Sequence, residues 1–374
     1  MKIVVTGAGG LLGWHAAARL HARNCAARFR GEAEPITLVQ AGRAEFSDPS
    51  RLARVLAETD AVLHFAGINR GPAEEVEAGN PAIADTLIAG CRAANVTPHI
   101  VYANSKHANT DTPYGNSKRR AGEALSAFAP RFTDLILPHI FGECARPYYN
   151  NVTATLIDQI INGDSPSVNP DGKVHLLHAG AAAQTAIDAA LNRHTGQIVP
   201  PSLPLGIPEL LQRLQDFHRS YQFNVYPCLS DDFELAMFNT YRSSLYPNGF
   251  PWPLKLNNDH RGTLFEAVRG GGGGQTFLSW TEPGVTRGDH FHLDKVERFL
   301  VLEGEATIRI RRALDETVWE YPVSGANPAY VDIPTLHTHS IENTGPRPLL
   351  TLFWAHEIFD PTAPDTYADP VLST

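Results

Sequence analysis

Two groups of residues have types and spacings that can do chemistry. Near one end, Thr6-Gly7-Ala8-Gly9-Gly10-Leu11-Leu12-Gly13 spaces three glycines as GxxGxxG immediately after a short apolar run. Near the other, Gly284-x5-His290-x-His292-x4-Glu297-x6-Gly304 is followed by Gly325…Pro334-x4-His339-x3-Asn343. The glycines suit a phosphate. Gly7 permits a tight turn, Gly10 lets backbone approach a pyrophosphate, and Gly13 lets the following helix pack closely, with unpaired N–H groups at its start. The second set offers three imidazoles and a carboxylate. His290 and His292 share one strand face because side chains alternate with period two. A His3Glu interior invites a borderline divalent ion, with zinc the default and manganese, iron or nickel as alternatives.

Between these ends lies Tyr114-x3-Lys118, which puts a phenol and an ammonium on one helix face. Ser105 lies just past a strand end, and Thr110 competes with it as the hydroxyl partner. A nearby lysine is expected to depress the phenol pKa from about 10, so that Tyr114 exchanges a proton with a carbonyl oriented by the serine. After the second strand, Val39-Gln40-Ala41-Gly42-Arg43 lacks an acidic residue for a ribose hydroxyl. Arg43 instead suits a 2′-phosphate, which favours NADPH. Asn80 has two readings, a cofactor neighbour or a helix breaker before Pro81.

These groups need two different frames. Short β-branched runs at Lys2–Thr6, Ile36–Val39, Ala61–Ala66, His99–Ala103 and Leu135–Pro138 alternate with helical stretches at Leu11–Arg23, Pro81–Ala94 and Tyr114–Ala129. That alternation predicts a parallel, doubly wound α/β sheet. Helical signal continues through Val152–Ile161, Ala181–Leu191 and Ile207–Tyr246. Pro247–Pro253 contains three prolines and reads as a hinge. Beyond it, closely spaced strand-like runs from Leu264 to Trp354 predict an antiparallel barrel or jelly roll. The expected domains are therefore 1–246 and 247–374. Gly270–Gly274 reads as a mobile loop.

With 374 residues, 43% hydrophobic, the chain supports two cores. A net charge of −9 without a basic stripe argues against nucleic acid. The four cysteines have no framework spacing, no run approaches a membrane span, and the first strand begins at Lys2, so a cytoplasmic protein is expected.

The Gly7 loop with Ser105, Tyr114 and Lys118 resembles the extended short-chain dehydrogenase/reductases, and the resemblance implies that these three act as the catalytic triad. The histidine segment resembles a cupin, with one departure: Leu336 stands where the second motif usually has glycine. His337 reads either as a base beside the ligands or as plain structure. Asn258–Glu266, with Arg261 suited to a phosphate, is similar to the opening of the sugar-nucleotide 3,5-epimerases. Together with Gly67–Arg70, Pro113–Lys118, Pro147–Val152 and Phe359-Asp-Pro, the arrangement resembles the CapF-type bifunctional enzymes of bacterial capsule synthesis along essentially the whole chain. The resemblance implies C3 epimerisation of UDP-2-acetamido-2,6-dideoxy-hexos-4-ulose in the cupin, then C4 reduction by NADPH to UDP-2-acetamido-2,6-dideoxy-L-talose. It also implies zinc and a homodimer. Arg70, Arg146 and Tyr148 are the expected substrate contacts. Two alternatives stay open: the cupin serves only binding or dimerisation, or the chain is a 4-epimerase or dehydratase holding NAD.

Overall fold

The computed structural model describes residues 1–260 and 262–372. Arg261 lies outside the described residues. The chain divides into two compact units, residues 1–155 with 167–210, and residues 156–166 with 211–374.

The first unit is built on β1 (Lys2–Thr6), β2 (Thr37–Ala41), β3 (Ala61–His64), β4 (His99–Ser105) and β5 (Phe132–Leu137), with β6 (His139–Phe141), β7 (Lys173–His178), β8 (Gly196–Ile198) and β9 (Leu203–Gly206). Six of these form a sheet in the order β2-β1-β3-β4-β5-β8, every pair parallel. The remaining three form a small sheet, β6-β7-β9. Its helices are α1 (Leu11–Phe29), α2 (Arg43–Phe46), α3 (Pro49–Leu56), α4 (Ala73–Ala93), α5 (Pro113–Phe128) and α7 (Ala179–Leu191); α6 (Val152–Ile161) and α8 (Ile207–Gln222) straddle the division.

Strand alternation sorts the core. Ile3, Val5, Leu63, Val101 and Leu135 bury one face against α1 and α7, while Val4, Val62, Ile100 and Tyr102 bury the other against α3, α4 and α5. Strand order reverses at β1, so the crevice at the C-terminal ends of β1 and β3 is the switch point where such sheets take ligands.

One helix differs from expectation. α4 begins at Ala73 and carries Pro81 inside it, so Pro81 does not start the helix and Asn80 does not break it. Asn80 is instead buried in mid-helix.

The second unit contains β10 (Val225–Tyr226), α9 (Asp232–Ser243), β11 (Trp252–Pro253), the hairpin β12 (Asn257–Asp259) and β13 (Gly262–Leu264), and β14 (Arg269–Gly270). There follow β15 (Gln275–Thr281), β16 (Thr286–Phe291), β17 (Glu297–Glu303), β18 (Glu305–Arg312), β19 (Val318–Ser324), β20 (Ala329–Ile333), β21 (His337–Asn343), β22 (Leu349–Ala355) and β23 (Tyr367–Ala368). Two five-stranded sheets result, β11-β20-β17-β22-β15 and β19-β18-β21-β16-β23. Alternate residues such as Phe299, Val301, Ile308, Ile310, Ile333, Ile341 and Phe353 fill the space between them.

Two expectations change here. The proline-rich stretch is not a free hinge, because Phe250 joins the barrel core and Trp252–Pro253 pairs with β20. The five-glycine run is pinned at both ends. Gly270 pairs with Tyr226, Gly271 donates to the Tyr226 carbonyl, and a methyl on Gly274 would lie 2.5 Å from the Ala355 carbonyl oxygen. Glycine is needed there for close packing as much as for freedom.

Candidate functional site

The glycine loop is shaped as its spacing requires. Gly7 has φ +66°, and a methyl on it would meet the Ala66 nitrogen at 2.7 Å; one on Gly13 would meet the Gly7 oxygen at 2.2 Å. Gly10 caps α1 with no side-chain bond, and the first turn contains no acidic residue. Oriented N–H groups with no competing carboxylate fit a pyrophosphate, so the residues present suit a dinucleotide. Arg43 is exposed at the start of α2, just past β2. Glu45, which the sequence reading passed over, accepts from the Gly42 nitrogen at 2.8 Å and fixes the turn that presents Arg43.

Ser105 ends β4, and Tyr114 opens α5. Thr112 caps that helix by accepting from the Gly115 nitrogen, and Pro113 occupies its first turn. Gly115 is the unnoticed part of this arrangement. A methyl there would lie 2.3 Å from the His107 oxygen and 2.5 Å from the Thr110 oxygen. Its absence lets α5 settle onto the 105–110 loop, which brings Tyr114 close enough to Ser105 for the serine to favour the ionised phenol. Thr110 does not compete: its hydroxyl donates to the His107 carbonyl at 2.7 Å and lies 3.0 Å from Thr112 Oγ1.

Lys118 is buried, donates from Nζ to the Ala103 carbonyl at 2.5 Å, and sits 4.2 Å from the centre of the Tyr102 ring. Burial lowers its pKa to about 7, partly opposed by Asp134. The expected depression of the tyrosine is not what the structure has. Burial raises the Tyr114 pKa, and only Ser105 works against this. The lysine is turned toward a carbonyl and a neighbouring ring, and it is not among the groups that shift the phenol. The Asn80 amide is occupied within the chain. It donates to the Ile68 oxygen and to Ser117 Oγ and accepts from the Ile68 nitrogen, tying the loop after β3 to α5.

The expected substrate contacts converge. Arg70 donates to the Tyr148 carbonyl, and the guanidinium carbons of Arg70 and Arg146 lie 6.0 and 5.2 Å from the centre of the Tyr149 ring. Tyr148 and Asn150 take positive φ, and Asn150 donates to the Asn69 carbonyl at 2.6 Å. Tyr149, which the sequence places only within the Pro147–Val152 run, is thus a ring with two cations near it. The segment is anchored upstream by Glu143, whose carboxylate lies 2.8 Å from His178 and 3.6 Å from His15. Burial alone would raise Glu143, but the two histidines outweigh it and hold the carboxyl at about 2.

In the second unit, His290, His292, Glu297 and His339 bring their ligand atoms within 4.8 Å of one another. His290 is paired with His339 across β16 and β21, beside a bulge at Gly288–His290. Glu297 Oε2 lies 3.1 Å from His292 Nε2 and 3.3 Å from His339 Nε2. Ligands about a tetrahedral ion with bonds of 2.0–2.1 Å sit about 3.3 Å apart, so the spacing fits. The tautomers fit as well. His292 Nδ1 is bonded to the Asp365 carbonyl and His339 Nδ1 to the His337 carbonyl, which turns both Nε2 atoms inward. His339 Nε2 is buried and lacks a well-formed hydrogen bond. Burial would raise Glu297, yet its histidine neighbours drive it well below the carboxylate range.

Asp365 is a residue the motif spacing did not reveal. Its carboxylate accepts from the Leu293, Asp294 and Lys295 nitrogens at 2.7–2.8 Å, shaping the turn between His292 and Glu297. Leu336 retains the turn expected of glycine: its φ is +61°, its nitrogen donates to the His292 carbonyl at 2.7 Å, and its side chain is buried. His337 is buried edge-on against Tyr246 and bonded to the Thr335 carbonyl, an anchoring role.

Residues 3–198 match the NAD dependent epimerase/dehydratase family. The chain belongs to that family. Residues 257–367 match the polysaccharide biosynthesis C-terminal domain. A curated relative from Pseudomonas aeruginosa, named UDP-2-acetamido-2,6-beta-L-arabino-hexul-4-ose reductase, is 30% identical over 98% of both chains. The crystal structure of the capsular polysaccharide assembling protein CapF from Staphylococcus aureus is 29% identical, with a TM-score of 0.58 over 99% of this chain and all of that one. CapF with the inhibitor 3-isopropenyl-tropolone gives 28% and 0.53 over the same share. The expected CapF-type build, an α/β dinucleotide fold followed by an all-β unit, therefore holds from end to end. Among the described residues, no helix is long and apolar enough to cross a membrane.

Proposed function

We propose that the chain is a bifunctional nucleotide-sugar enzyme. Its β unit epimerises C3 of UDP-2-acetamido-2,6-dideoxy-hexos-4-ulose, and its α/β unit then reduces the C4 ketone with NADPH to UDP-2-acetamido-2,6-dideoxy-L-talose, in a cytoplasmic route to capsule. The observation that carries this reading is the coexistence of the Ser105–Tyr114 pair with the His3Glu cluster in a chain matching a 4-keto-sugar nucleotide reductase end to end. The proposed boundary is residue 246. A single ketone explains both sites. It acidifies the C3 hydrogen, so epimerisation must come first, and reduction afterwards removes the activating group.

In the α/β unit, Gly7, Gly10 and Gly13 would hold the pyrophosphate, Arg43 the 2′-phosphate, and Lys118 the nicotinamide ribose. The cofactor, when bound, supplies the hydride. Ser105 orients the carbonyl, and Tyr114 releases its phenol proton to the C4 oxygen as the C–H bond forms. Arg70, Arg146, Tyr148 and Tyr149 would receive the UDP-sugar, and Arg261 a phosphate in the other unit. There, His290, His292, Glu297 and His339 would hold a divalent ion, with zinc favoured by the donor set. The ion supplies Lewis acidity for charge that develops on the keto oxygen.

A homodimer is supported by β15, an edge strand that exposes Phe277, Leu278 and Trp280, with Trp280 64% accessible. An apolar edge of this kind normally needs a cover. Proton NMR after incubation in D2O tests the chemistry. Deuterium should enter C3 without NADPH, C4 should be reduced only with it, and Glu297→Gln should lose metal and C3 exchange together. C3 exchange that survives metal removal sinks the epimerase half. Light scattering that returns a monomer removes the dimer.

A further inference from the structure

We infer that His107 and His139 form the sugar-facing wall of the reductase pocket, gripping the substrate's hydroxyl and amide groups beside Tyr114. The inference rests on the reductase reading and names residues that its triad leaves out.

The topology places the two imidazoles together. Ser105 and Leu137 are directly paired at the ends of the parallel strands β4 and β5. His107 and His139 each follow their member of that pair by two residues, at the C-terminal edge where α/β sheets bind ligands. His107 donates its backbone N–H to Ser105 Oγ at 3.2 Å, and its ring stands edge-on to Tyr114 at 6.2 Å between centroids. It is therefore fixed beside the reacting pair while its ring stays exposed.

His139 supplies the second observation. It is mostly buried, its charged form is disfavoured by that burial and by neighbouring His107, and its Nε2 finds no hydrogen-bond partner among the described residues. A buried ring nitrogen without a partner is costly and usually marks a position that something else satisfies. A neutral imidazole carries one donor and one acceptor. That pair matches a sugar ring bearing hydroxyl and acetamido groups, whereas a phosphate would call for cations.

The test separates sugar recognition from general disturbance. His107→Ala, His139→Leu and the conservative His139→Asn are compared with wild type for KM of the UDP-4-keto sugar, kcat, and dissociation constants of NADPH and of UDP alone. Loss of one hydrogen bond should raise the sugar-nucleotide KM about tenfold in His107→Ala and His139→Leu. UDP and NADPH binding should stay within twofold, and His139→Asn should recover most of the loss. Unchanged KM, a loss confined to kcat, or an equal loss of UDP binding would each overturn the assignment. Failure of wild type to turn over at all would instead strike the reductase reading, before any variant is compared.

Discussion

Gly115→Ala separates the geometry of the reductase site from the stability of the fold. In a helix interior alanine in place of glycine adds about 0.5–1 kcal/mol of stability, and Gly115, in the first turn of α5, gains at most that. Here the new methyl would lie 2.3 Å from the His107 carbonyl oxygen and 2.5 Å from that of Thr110, about 1 Å short of ordinary contact. Both obstacles are backbone, so they cannot swing aside as a flexible side chain would. Either α5 lifts or the 105–110 loop moves. Overpacking costs about 1–3 kcal/mol, which the helical gain partly offsets, so the net loss should be about 1–2 kcal/mol. The catalytic effect should be far larger. Tyr114 precedes the substitution directly and Ser105 lies on the displaced loop, and misplacement by about 1 Å can cost about 100-fold in rate. The assay is NADPH oxidation with the UDP-4-keto sugar, alongside thermal melting and NADPH titration. The expected pattern is a fall of about 100-fold in kcat, a small drop in Tm and unchanged NADPH affinity. Activity within threefold of wild type would refute the claim that this close approach sets the Ser105–Tyr114 distance.

Three further outcomes follow from single features. Lys118 titrates near 7 in the fold because it is buried, against an ordinary 10.5, so the unfolded chain binds the extra proton between those values and stability rises with pH across that window. Lys118→Met should therefore melt higher than wild type below pH 7, with the gap closing toward pH 10; a pH-independent difference would contradict this. Leu336→Gly relieves a left-handed residue worth about 1–2 kcal/mol but removes a buried leucine worth about 2–5, so urea unfolding should show a net loss, and a gain would refute the packing assigned to Leu336. Arg43→Ala should raise KM for NADPH at least tenfold and leave that for NADH nearly unchanged; equal effects on both would remove the 2′-phosphate role.

The sequence by itself determined the features carried by local spacing. Close backbone approaches force glycine at 7 and 13, and a strand period of two puts His290 and His292 on one side, so both folds and the histidine cluster were legible. Features set by distant segments were not. Asp365 shapes a turn some 70 residues away, and Tyr149 becomes a ring with two arginines near it only when the 69–70 and 146–150 loops meet. Asn80 looked like a helix breaker because a sequence does not show that α4 runs through it while its amide bonds Ile68 and Ser117. The direction of the Tyr114 pKa failed for the same reason. A Tyr-x3-Lys spacing fixes that two side chains share a helix face, but burial and the Ala103 carbonyl decide where the ammonium points. Periodicity travels along the chain, whereas desolvation and hydrogen-bond saturation depend on what the folded chain packs against each group.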